Sequence, residues 1–148
     1  MTALNLAQPE DFDRLLPLVR AFHDEAQIVQ DDAHRHAALM PLLEGSPHGA
    51  TYLIGPGRAP IGYIVISFGW SVEFAGLDGF VDELYIRPGV RGRGIGTEVM
   101  SSLPKALAGA GLKALHLEVR RDNTRARKLY EKLRFFPRDD YCLLTREM

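Results

Sequence analysis

Arg91-Gly92-Arg93-Gly94-Ile95-Gly96 puts three glycines and two arginines into one short stretch. Glycine lets backbone amides approach a ligand and tolerates left-handed φ. Amides that open onto a helix point one way, beside the positive end of its dipole, and form an anion site. Two guanidiniums add charge-assisted donors. The chemistry this loop suits is the grip of a phosphate or pyrophosphate. A P-loop would follow its second glycine with Lys-Ser or Lys-Thr, and Gly94 is followed by Ile95. A dinucleotide fingerprint read from Gly92 needs glycine where Thr97 stands. Read from Gly94, it needs glycine or alanine where Val99 stands. The plain alternative is a glycine-rich turn with no ligand.

Carboxylates and a phenol supply the other candidates. Asp82 and Glu83 are neighbours in a β-rich run, so they face opposite sides unless a bulge intervenes, and only one should reach a substrate. Glu118 shares a strand face with His116. An ion-paired strand glutamate and a satisfied core histidine are their plain readings. Tyr130 follows Asn123 by about two helical turns, so both can face one ligand. Spacing alone makes Tyr130 a core residue on a stripe with Leu129 and Leu133. His34-Arg35-His36 lacks the i, i+4 pairing of a helical metal site and reads as a solvated face. Cys142 alternates with Leu143 in a strand pattern and reads as core. As the one cysteine, it excludes an internal disulfide and a Cys-clustered zinc site, and no metal is expected.

These residues need a scaffold. Leu4 and Leu6 signal a short strand. Pro9 opens a helix with Glu10 and Asp11 in its first turn and an apolar stripe of Phe12, Leu15, Leu16, Val19 and Phe22. Asp31 and Asp32 start a second helix with Ala37, Met40 and Leu43 inward. Tyr52–Ile54 and Ile61–Ser67 form a hairpin around Gly55-Pro56-Gly57. Phe68–Leu77 reads as a longer link, and Phe80–Ile86 as the strand that leads to the loop. A helix follows from about Thr97 to Ala108, with Pro104 inside it. Ala114–Val119 is a strand, Asn123 caps a last helix, and Tyr141–Thr145 is a final strand. The order β-α-α-β-β-β-α-β-α-β implies an α/β (α+β) domain with a mixed, mostly antiparallel central sheet and helices on both faces.

At 148 residues, 46% apolar and 25% charged, the chain suits one domain, 1–148, with a real core. The net charge of −1 gives no general pull toward nucleic acid or an anionic membrane. No apolar run approaches the ~20 residues of a membrane span. Met1–Leu6 has no basic residue or long apolar block, so no secretory signal is expected there, and a cytoplasmic protein is. Charge is nonetheless segregated. Residues 1–85 carry twelve acids and four bases, and residues 86–148 seven acids and fourteen bases. The boundary falls where the glycine loop begins, which suits two ligands of opposite sign or one bipolar pair.

Arg91-x-x-Gly94-x-Gly96 after Leu84-Tyr85-Ile86 resembles the acetyl-CoA loop of the GNAT N-acetyltransferases. His116-Leu117-Glu118-Val119, then Asn123, Ala126 and Leu129-Tyr130, then Phe135, looks like that family's second half. Phe80–Ile86 resembles the branch acting on small amines, polyamine acetyltransferases included. The family usually has glycine before the aromatic that follows the last helix; here Arg134 stands there.

The resemblance implies acetyl transfer from acetyl-CoA, as cosubstrate, to a primary amine. Such an amine has a pKa near ~10.4, so freeing it at pH 7 costs about 4–5 kcal/mol, and a carboxylate should take the proton. Glu83 and Glu118 are the leading bases, with Asp82 behind them. Glu118 matches the base of the ribosomal-protein alanine acetyltransferases. The resemblance makes Tyr130 the acid at the CoA sulfur. It gives cofactor contacts to Leu84, Tyr85 and Ile86, to Arg91, Gly92, Arg93, Gly94, Ile95, Gly96 and Thr97, and to Asn123. The strand at Leu84–Ile86 would offer free amides to the pantetheine arm, like an added strand. The acidic half, His23-Asp24-Glu25, Asp31-Asp32, Glu73, Asp78 and Asp82-Glu83, would favour a cationic acceptor of polyamine, lysine or aminoglycoside type. Phe68–Leu77, with Trp70 and Phe74, would wall the acceptor pocket, form a homodimer contact, or simply pack as a loop. Rival readings are a non-catalytic acyl-CoA sensor, a protein N-terminal or lysine acetyltransferase, and a nucleotide-binding protein.

Overall fold

The computed structural model describes residues Met1–Met148, which fall into two compact units, Met1–Glu118 and Val119–Met148. The first unit holds one five-stranded sheet in the order β1-β2-β3-β4-β5. The strands are β1 (Leu4–Leu6), β2 (Gly49–Ile54), β3 (Gly62–Ser71), β4 (Gly76–Ile86) and β5 (Ala114–His116). The first three pairings are antiparallel and β4–β5 is parallel. Helices α1 (Phe12–Ala26) and α2 (Asp32–Leu43) separate β1 from β2, and α3 (Ile95–Gly109) joins β4 to β5.

Alternation along β3 sorts the core. Tyr63 and Val65 pack with Leu15, Leu18 and Val19 of α1, Leu39 and Leu43 of α2, and Tyr85. Ile64 and Ile66 face the other way and are fully buried. On α3, Val99, Met100 and Leu103 are buried, and Pro104 lies inside the helix without ending it. Gly62 sits where its strand meets β4 closely. A Cβ there would lie 2.1 Å from the Tyr85 carbonyl oxygen, so only glycine fits.

Several boundaries differ from the sequence reading. Phe68–Leu77 is not a link: β3 and β4 extend through most of it and turn at Val72–Ala75. Cross-strand pairing carried the strands past the point where the residue pattern faded. On α2 the inward row is Arg35, Leu39 and Leu43, while Ala37 is exposed. An arginine faces inward there because its head finds partners, described below. The final strand at Tyr141–Thr145 does not form, and Cys142 is exposed rather than core. With no strand, no alternating face exists to bury it.

The second unit carries α4 (Thr124–Lys132). The Asn123 side chain caps it, accepting from the Ala126 N–H at 3.1 Å. The helix ends in a Schellman motif. The Arg134 N–H donates to the Glu131 carbonyl and the Phe135 N–H to the Tyr130 carbonyl. That motif needs a left-handed residue, and Arg134 adopts φ 69°. No helix of the chain is long and apolar enough to cross a membrane.

Candidate active site

Strand β4 carries a bulge. Val65 opposes Glu83 and Ile66 opposes Val81, so Asp82 is the extra residue with no partner across the strand pair. The bulge cancels the alternation that would send Asp82 and Glu83 to opposite faces. Both line one cavity of about 250 Å³, with Val19 and His23 of α1, Arg35, Leu39 and Leu42 of α2, and Val65. Its walls are half aliphatic and half polar, with Gln30 and His34 also in the lining beside His23, Arg35 and the two carboxylates.

The two carboxylates are held differently. Glu83 is fixed at both oxygens. The Tyr63 hydroxyl donates to Oε1 at 2.8 Å, and His23 Nε2 lies 2.9 Å from Oε2. Burial, then the charge and hydrogen bond of Glu83, raise the Tyr63 pKa and keep its phenol a donor. Asp82 makes no internal hydrogen bond or ion pair. Partial desolvation, then the charges of Glu83 and Glu118, raise its pKa above the ordinary carboxylate value. Glu118 thus shares the electrostatic neighbourhood of Asp82, although it lies outside the cavity lining.

The last residues of β4, directly after the carboxylates, offer backbone instead. The Arg87 N–H donates to the Ile61 carbonyl at 2.8 Å, so Ile61 and Arg87 form a hydrogen-bonded pair. Such pairs alternate in antiparallel sheet. Tyr63–Tyr85 is the next bonded pair, and Leu84 and Ile86 turn their amides away from β3. On that far side β5 pairs only with Asp78–Phe80. The N–H groups of Leu84 and Ile86 therefore meet no strand, whereas the backbone of Tyr85 is used by β3.

The chain then passes through the glycine loop. Gly92 and Gly94 adopt φ 80° and 79°, and nothing lies within 4 Å of a Cβ built on either. Gly94 is the N-cap of α3. The amides from Gly92 to Thr97 have no hydrogen-bond acceptor in the chain, as the first turn of a helix leaves them. They form an anion cradle at the positive end of a four-turn helix. Arg93 is exposed beside it. Arg91 is already engaged. It donates to the Ile86 carbonyl at 2.7 Å, pairs with Glu25 at 2.7 Å, and stacks over the Tyr85 ring at 5.5 Å.

Other expected participants are placed elsewhere. Glu25 and Asp32 pair with Arg91 and Arg20, Asp78 lies beside His116, and Asp31 caps α2, so these four carboxylates are engaged away from the cavity. His116 is one-third exposed rather than core, 3.2 Å from Asp78. Trp70 and Phe74 project from the β3–β4 hairpin and do not line the cavity. In the second unit, Tyr130 packs edge-on against Phe135, centroids 5.8 Å apart. Burial raises its pKa, so it is a proton donor at neutral pH. Sequence reasoning missed Arg35 and Tyr63 as site residues and named His23 only within an acidic run on the acceptor side. The one available signal was a histidine and an arginine at core-facing helical positions.

A bulged carboxylate pair, an unpaired strand edge and an amide cradle thus follow one another along β4 and the loop after it. Residues 12–135 match the model of the acetyltransferase (GNAT) family, and the chain belongs to that family. An acetyltransferase of Sodalis glossinidius (strain morsitans), SG1711, is 36% identical over 76 residues, covering 49% of this chain and 54% of that protein. The chain spans about half the length of the curated relatives it matches. Among solved structures, an integron cassette protein from the mobile metagenome of Cole Harbour salt marsh superposes with a TM-score of 0.84. It is 28% identical, over 98% of this chain and 90% of the other. AAC(6')-Iy, solved with the bisubstrate analogue CoA-S-monomethyl-acetylneamine, shares the fold at TM-score 0.77. It is 16% identical over 100% and 99% of the two chains.

Proposed function

We propose that this chain moves an acetyl group from acetyl-CoA to the primary amine of a small cationic acceptor. The observation that carries the reading is the unpaired Leu84–Ile86 edge running directly into the amide cradle at Gly92–Thr97. The cradle would take the pyrophosphate, with Arg93 as its free cation, and the Leu84 and Ile86 amides the pantetheine arm. The thioester supplies an activated acetyl carbon. The aliphatic part of the cavity wall, Val19, Leu39, Leu42 and Val65, would take the acceptor's carbon chain, and Asp82 and Glu83 its ammonium.

A carboxylate first takes a proton from the bound ammonium, and the freed nitrogen lone pair then attacks the acetyl carbon. Asp82 is the cavity carboxylate without an internal partner, and we assign it the proton. Glu83 is the fixed counter-charge and Glu118 the neighbour that tunes Asp82. An Ile86 or adjacent amide would stabilise the oxyanion. When the C–S bond breaks, the family resemblance gives the thiolate its proton from the Tyr130 phenol. The resemblance likewise assigns Asn123 to the cofactor; with its carbonyl committed to the helix cap, its NH₂ group is the part available. A single family match across 12–135 supports reading both units as one working domain.

The test is amine-dependent thiol release from acetyl-CoA across a panel of amines. Cationic alkyl amines should react fastest. An acidic acceptor outrunning all of them would refute the substrate class. Tight acetyl-CoA binding with no release would favour a sensor, and ATP displacing CoA would remove the cofactor assignment.

A further inference from the structure

His23 and Arg35 are two of only three buried polar side chains in the chain, and each sits on a helix face otherwise given to the core. Buried groups of this kind persist where every hydrogen-bonding atom finds a use. Arg35 Nε lies 3.1 Å from His23 Nδ1, and Arg35 Nη1 lies 2.8 Å from Asp32 Oδ1. Arg20 donates to the same Asp32 carboxylate, at 2.9 Å through Nε. The two arginines hold the Asp32 pKa at about 2, so that anchor stays charged.

Guanidinium has donors and no acceptor. Arg35 must therefore donate to Nδ1, and Nδ1 carries no proton. The ring's N–H is on Nε2, where it donates to Glu83 Oε2. Tyr63 closes the other oxygen of Glu83. We infer that His23 and Arg35 are positioning residues for the acceptor site: through one imposed imidazole tautomer they lock Glu83 in a single orientation as the counter-charge for the substrate ammonium. This rests on the cavity being the acceptor pocket. The links run from Asp32 at the surface of α2, through α1, to the cavity wall on β4, each from side chain to side chain. Simple core filling would need no such order, since an apolar pair packs a buried site as well or better.

Two readouts test it. Nitrogen-15 NMR of the imidazole in the intact protein should show His23 as the neutral ring protonated at Nε2. A proton found at Nδ1 overturns the inference, whatever the chain's activity. In kinetics, His23→Leu should lower kcat/KM for the amine by about 10- to 100-fold and leave KM for acetyl-CoA unchanged. His23→Gln, whose amide offers a donor and an acceptor from one carbon, should recover to within about threefold of wild type. Arg35→Lys should behave like His23→Leu, because an ammonium cannot bridge His23 and Asp32 as a fork. Equal loss in His23→Leu and His23→Gln, or normal amine kinetics in both, overturns the inference and leaves the proposed transfer intact. A wild-type chain that releases no thiol with any amine sinks the transfer reading instead, and the NMR result still decides the network.

Discussion

Two neighbouring stretches, Asp82–Glu83 and the run from Leu84 to Thr97, meet opposite demands. At Asp82–Glu83 the work falls to side chains, and Glu83 is held by Tyr63 and His23 from β3 and α1. At Leu84–Thr97 the free donors are chiefly amides, with open space around Gly92 and Gly94 and Arg93 exposed beside them. A cation is recognised by carboxylates, whose direction depends on partners. An anion is recognised by N–H groups, whose direction the backbone itself fixes. The loop should therefore fail when a Cβ is added, and the cavity when a hydrogen-bond partner is removed.

Gly94→Val is the sharpest break. Its φ of 79° disfavours a β-branched residue, while the space around its Cβ is open. We expect CoA affinity to fall by at least about 100-fold, against a folding cost of only about 1–2 kcal/mol. Calorimetric titration and a thermal melt separate the two, and normal affinity discards the loop as the cofactor site. Tyr130→Phe should lower kcat by about 100-fold with acetyl-CoA affinity unchanged. Undiminished turnover, under conditions where chemistry limits, removes the acid role.

Glu118→Gln probes the carboxylate end. Asp82 must be ionised to accept a proton, and the negative charge of Glu118 is one cause of its raised pKa. Removing that charge makes ionisation easier, so the acid limb of kcat/KM for the amine should move to lower pH. A limb that stays in place or moves up would remove Asp82 as the titrating base. The smallest effect belongs to Arg134→Gly. A non-glycine residue in the left-handed region is strained by roughly 1 kcal/mol or more, so glycine should raise the melting temperature by a few degrees. No gain in stability would show that the Arg134 side chain offsets the strain.

The same contrast explains what could be read in advance. The loop was legible because the positive φ at 92 and 94 favours glycine, and that preference is written in residue type. The αL turn at Arg134 kept its geometry without its glycine, since the two Schellman hydrogen bonds and the Tyr130–Phe135 contact hold it. The base was not legible. Adjacent Asp82 and Glu83 say nothing of a bulge, which exists only in the pairing of β4 with β3. Arg35 looked like a solvated charge between two histidines because the buried partner that draws it inward, His23, lies twelve residues away on α1.

Sequence alone determined the helix that follows a glycine loop and the strands around it, because those depend on local φ preference and hydrophobic period; the family came from the resemblance of its motifs. Only the tertiary structure decided which carboxylate is free and which is fixed, that Arg91 is occupied, and that Tyr141–Thr145 forms no strand. Hydrogen-bond partners from distant parts of the chain make those choices, and no local pattern encodes them.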